Sequence, residues 1–211
     1  MSIQYSQLKR SGRNSLKGKW GLAIGVILII GILSVAVSYI PRVGFLLSIL
    51  LFPMTVATTW FFLGLARNEN PTVEVIFSGY EKGAFIRTLG TQLLMNIYLV
   101  LWALLLLIPA IIKGFSYMLT NYILKDYPHL QYNSAIKLSR RMMDGYKGQA
   151  FILQLSFIGW AILCLFTLGI GFLFLSPYVS TTNAHLYEDL KRRYVEAHPD
   201  DPLLNELKTI Q

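Results

Sequence analysis

Leu105-Leu106-Leu107-Ile108-Pro109-Ala110-Ile111-Ile112-Lys113-Gly114 is the stretch on which the reading of this chain turns. It lies in a long apolar region whose strongest interruptions are Pro109 and Lys113. A bilayer core takes about 20 apolar residues per helix. The region therefore holds either one kinked crossing or two crossings with a turn at Pro109. Charge decides between them. The following loop, residues 125–148, carries Lys125, Lys137, Arg140, Arg141 and Lys147. A mere kink would leave those five cations outside, against the bias of Lys and Arg toward the cytoplasmic side. A turn at Pro109 returns them inside.

Outward from this stretch, apolar runs cover Trp20–Ile40, Val43–Ala66, Thr88–Ile108, Gln149–Thr167 and Gly169 to about Leu186. With Ala110–Leu124 they make six expected spans. Pro41-Arg42 is the expected turn between the first two. The basic residues are then lopsided. Seventeen of the 19 fall inside, and only Arg42 and Lys113 fall toward the outside. All 11 acidic residues also fall inside. The expected fold is all-α, a polytopic transmembrane bundle with both termini cytoplasmic. Composition agrees: 54% of residues are hydrophobic and 14% charged, where soluble domains carry about 25% charged residues. Trp20–Ile40 is too long for a signal-peptide core and reads as a retained helix.

The chain also repeats itself. Lys17-Gly18, Lys82-Gly83 and Lys147-Gly148 recur at 65-residue spacing, each just before an apolar run. Thr58-Thr59, Thr120-Asn121 and Thr182-Asn183 recur at 62-residue spacing, with Pro53 matching Pro177. The expected units are 1–66, 67–127 and 128–190, with a cytoplasmic tail at 191–211. Each would hold an amphipathic inner stretch and two helices. In the third stretch Tyr132, Ala135, Ile136, Ser139, Met143 and Tyr146 share one helical face, and Lys137, Arg140, Arg141 and Asp144 the other. In the second, Val73, Ile76, Phe77 and Tyr80 stand at similar spacing. Such basic amphipathic helices either lie among anionic headgroups or pack under the bundle.

Signs of chemistry are few. His129, His185 and His198 sit in separate segments, and there is no HExxH, CxxC or GxSxG pattern and no phosphate loop. The lone Cys164 forms no internal disulfide and reads as a small apolar side chain. Gly169-Ile170-Gly171 reads as a turn and a close helix contact. No cofactor or metal is expected, and no enzymatic activity. The net charge of +8 is spread over every inner loop, as membrane insertion alone arranges it, so no nucleic-acid partner is expected. Mild intramembrane polarity remains: Gln92, Asn96, Thr58, Thr59, Thr120, Asn121, Thr182 and Asn183. These are read as interhelical hydrogen-bonding groups or as the lining of a cavity. Lys113 is costly in an apolar helix unless it snorkels or pairs. It is expected to reach the outer headgroups, or to bind a lipid phosphate or anionic solute.

Ile108-Pro109-Ala110-Ile111-Ile112-Lys113-Gly114-Phe115-Ser116-Tyr117, then Asn121-Tyr122-Ile123-Leu124-Lys125-Asp126, Leu155-Ser156-Phe157-Ile158-Gly159-Trp160 and Pro177-Tyr178 resemble an uncharacterised bacterial integral membrane family, domain of unknown function 975. The resemblance spans nearly the whole chain. It implies a multi-pass bacterial plasma-membrane protein and implies no activity. A more distant similarity is to the membrane domain attached to some glycerophosphodiester phosphodiesterases. Their catalytic domain has no counterpart in these residues, so no hydrolase activity carries over. Two functions are expected in order: binding of membrane lipids with anionic headgroups or of another membrane protein, and, as the alternative, a small-solute transporter or channel subunit.

Overall fold

The computed structural model describes residues 4–40 and 44–205. The expected turn at Pro41-Arg42 and the cation Lys208 lie outside the described residues. The chain is helical throughout, with no strand among the described residues. In order come α1 (Tyr5–Ser15), α2 (Trp20–Ser38), α3 (Gly44–Leu50), α4 (Phe52–Ala66), a 3-10 helix (Val73–Tyr80), α5 (Ala84–Leu105), α6 (Leu107–Tyr117), α7 (Thr120–Asp126), α8 (Tyr132–Met142), α9 (Lys147–Phe166), α10 (Phe172–Ala197) and α11 (Pro202–Asn205).

Five segments are long and apolar enough to cross a membrane: Trp20–Ser38, Leu46–Ala66, Ala84–Leu105, Leu107–Asp126 and Lys147–Phe166. They divide into two kinds. In α2, α5 and α9 only 11, 17 and 22% of the apolar window is buried, against 44 and 39% in Leu46–Ala66 and Leu107–Asp126. α2 and α5 lie against α4, α9 lies against α6 and α10, and α10 also packs on α4. The exposed side chains of α2, α5 and α9, among them Ile32, Val35, Ile97, Leu104, Ile162 and Phe166, form an apolar surface that suits lipid. The sixth expected span is absent from that set. α10 runs on to Ala197 and carries Glu188, Asp189, Lys191, Arg192 and Arg193 in its second half, so its average hydropathy falls even though its first half is apolar.

The turn in the deciding stretch falls at Leu106, not at Pro109. Leu106 is extended (φ −162°, ψ 140°) and is the one residue between α5 and α6. Pro109 sits in the first turn of α6, where its missing N–H leaves no hydrogen bond unmade. The chain reverses there. Gln92 bonds Asn121, the Tyr98 ring meets Tyr117 and Trp102 meets Lys113, a pairing that runs in opposite directions along the two segments. At the α9–α10 turn Gly169 is left-handed at φ 87°. Gly171 lies so close that a Cβ there would stand 2.7 Å from Cys164 Sγ. The expected turn and close contact are both present, and Cys164 is buried.

The amphipathic elements pack on the bundle. α1 lies on α10, the 3-10 helix on α4, and α8 on α5 and α7. Two expectations are corrected. The second stretch winds with three residues per turn, not 3.6. Ile76 and Gly79 are buried, while Phe77 and Tyr80 are exposed. The third Lys-Gly pair is not the equivalent of the first two. Gly18 and Gly83 are left-handed (φ 75° and 89°), but the third such glycine is Gly145 (φ 77°), and Lys147-Gly148 opens α9.

Candidate functional site

Two levels of polar groups join the helices to one another. The upper level is built from amides. Gln92 Nε2 donates to Asn121 Oδ1 at 2.8 Å, and Gln154 Nε2 donates to Asn183 Oδ1 at 2.7 Å, both across 29 residues of chain. The two pairs are thus the same bond made twice, 62 residues apart. Sequence reading missed Gln154, although its 62-residue distance from Gln92 was the available signal. At that spacing the first part of the chain offers Ile30 and Thr59. No such bond forms there, and Thr59 donates to its own helix at Val56 O (2.7 Å). Trp60 Nε1 also donates to Asn121 O at 2.8 Å and ties α4 to α7.

The remaining expected residues are dispersed. Thr58 and Thr182 donate to the carbonyls four residues back, Met54 O and Tyr178 O. Thr120 is fully buried, and its hydroxyl has no partner. The carbonyl four residues back from it, Ser116 O, accepts instead from Ser139 Oγ of α8 at 2.8 Å. Asn96 is exposed and donates to Gln92 O at 2.9 Å. The structure therefore gathers Gln92 with Asn121, and Asn183 with Gln154, and leaves Thr58, Thr59, Thr182 and Asn96 bonded within their own helices.

The lower level is charged, and sequence reading did not anticipate it. Arg67, just past α4, bonds Asp126 Oδ2 of α7 at 2.6 Å and Glu188 Oε1 of α10 at 2.8 Å. The same Asp126 oxygen accepts from Lys191 Nζ at 2.5 Å and from Tyr187 Oη at 2.7 Å. Tyr187 stacks on Tyr122, with ring centroids 5.1 Å apart. One carboxylate thus joins three helices. Burial works to lower the Arg67 guanidinium, but the bonds and charges of Asp126 and Glu188 outweigh it and hold it raised. Burial and the Asp126 charge push the Tyr127 hydroxyl up to about 12. These ion pairs tie the end of α4 to α7 and α10.

The Lys113 ammonium lies 4.7 Å from the Trp102 ring centre, and its helix, α6, leans on α8 and α9, which carry Arg140 and Lys147.

The family described as "Protein of unknown function (DUF975)" matches residues 1–113 and, in a second segment, 103–194. The two segments agree with an internal repeat. No curated protein matches the chain, and neither does any solved structure.

Proposed function

The chain belongs to the DUF975 family of proteins of unknown function, and from that premise we propose a non-enzymatic integral membrane protein that holds membrane lipid or a membrane-protein partner. The observation that carries this is the contrast between the two ends of its helices. α2, α5 and α9 present a broad apolar surface, while cations gather on the amphipathic elements and on α10. Such a body suits a bilayer with its basic end among headgroups. In this reading the first half of α10 is the sixth crossing, both termini are cytoplasmic, and the membrane is a bacterial plasma membrane. The three expected units gain support from the way α1, the 3-10 helix and α8 pack on α10, α4 and α7 in turn. The polar groups fit a scaffold better than a channel, because both Gln–Asn pairs satisfy each other.

Native mass spectrometry of the protein released gently from its own membrane tests the reading. Retained lipid or a stoichiometric protein partner is the expected result, and a bare chain overturns it. A solute path is the second reading, and the unpartnered hydroxyls of Thr91 and Thr120 favour it. Liposome flux abolished by Asn121→Leu and Asn183→Leu would establish it.

A further inference from the structure

Three elements meet where α6 leans on α8 and α9. The hydrogen bond from Ser139 Oγ to Ser116 O (2.8 Å) places α8 one helical turn from Lys113, and Arg140 follows Ser139 directly. Phe115 of α6 meets Phe151 of α9 edge-on at 5.6 Å. This brings three cations into one neighbourhood, Lys113, Arg140 and Lys147. Lys147 pairs with Asp144 at 3.1 Å. Among the described residues neither Lys113 nor Arg140 has a carboxylate partner. Like charges repel, and an anion between Lys113 and Arg140 would relieve that repulsion.

The surroundings say which kind. Trp102 lies under the Lys113 ammonium at 4.7 Å, and Tyr98 and Tyr117 sit beside each other at 6.4 Å. Tryptophan and tyrosine next to lysine and arginine mark the headgroup level of a bilayer. Immediately beyond are the exposed side chains of Leu105, Ile108, Ile111 and Ile112 on one side and Phe151, Ile152 and Leu155 on the other. Those surfaces suit acyl chains and offer nothing to a free anion in water.

We infer that Lys113 and Arg140, with Lys147 beside them and Trp102 behind, seat the phosphate of an anionic membrane lipid whose acyl chains lie along α6 and α9. The inference rests on the lipid-holding reading above and gives it a place and a headgroup class. Lys17 and Lys82 are exposed just ahead of α2 and α5, outside this junction, and serve as the control.

The full chain in nanodiscs of equal phosphatidylglycerol and phosphatidylcholine is compared by native mass spectrometry with three variants: Lys113→Gln/Arg140→Gln, Lys113→Arg/Arg140→Lys, and Lys17→Gln/Lys82→Gln. The charge-removing pair should lose about tenfold or more in phosphatidylglycerol retention. The charge-conserving pair and the control should stay within about twofold of the wild type. Equal loss in the control pair, or no loss in the first, overturns the site while leaving lipid binding intact. A wild-type chain that retains no lipid of either kind overturns the broader reading as well. Displacement of the bound lipid by millimolar inorganic phosphate overturns the assignment to lipid.

Discussion

At the scale of single residues, close backbone approach decides more than polarity does. Gly79 of the 3-10 helix meets α4 so tightly that a Cβ would stand 2.2 Å from Pro53 O. That neighbour is backbone and cannot swing away. Gly79→Ala should therefore destabilise the protein by about 1–3 kcal/mol. Gly148 in the first turn of α9 meets nothing within 4 Å, and Gly148→Ala should stabilise by up to about 1 kcal/mol. Unfolding of both variants in one detergent checks the pair, and equal shifts would remove the packing argument. The amide bonds are tested in the same way. Gln92→Leu and Asn121→Leu each leave one amide unpaired. A double-mutant cycle should give a coupling of about 0.6–1.7 kcal/mol, and the Gln154–Asn183 cycle a coupling of similar size. Zero coupling in both would mean the bonds are incidental.

At the scale of elements, the segment after α10 is held by one carboxylate. Arg141 Nη1 bonds both oxygens of Asp201 at 3.0 and 2.9 Å, Leu203 N–H donates to Oδ1 at 2.9 Å, and Tyr194 Oη also donates to this group. Burial works to raise Asp201, but these donors outweigh it and hold it below its ordinary value. A lowered carboxylate contributes stability above its unfolded pKa of about 3.9 and loses it as pH falls through the folded value. Docking of α11 onto α8 and α10 should therefore be constant from neutral pH down to about 5 and fail only below about 4. Arg141→Gln should move release to higher pH. Limited proteolysis of the C-terminal segment across pH reads this directly, and release that tracks a group titrating near 6 would contradict it. The second element-scale feature is the break at Met118-Leu119 between α6 and α7. It lets α6 lean toward α8 and α9, which carries Lys113 to Arg140.

At the scale of the whole molecule, the proposed six crossings make a definite prediction. A topology reporter fused after Tyr132 should read as cytoplasmic, and an external signal rejects the arrangement. Much of this was legible in the chain alone, because membrane insertion acts on local composition. Run length, charge asymmetry and the scarcity of charge are summed residue by residue along the sequence. They determined the all-helical class, the presence of helices long and apolar enough to cross a membrane, and the limits of α2 and α9 to within a few residues. They also marked the 62-residue spacing of the polar pairs. Other features depend on which helix stands beside which. The turn at Leu106 needs α5 and α6 to pack antiparallel, whereas the proline was the visible local signal. The Arg67–Asp126–Glu188 tie joins residues 59 and 121 positions apart in the chain, and no periodicity along one helix announces it. Lys113 likewise reads outward when its own helix is taken alone. Its place among Arg140 and Lys147 follows only from the lean of α6 onto α8, a contact that tertiary packing creates.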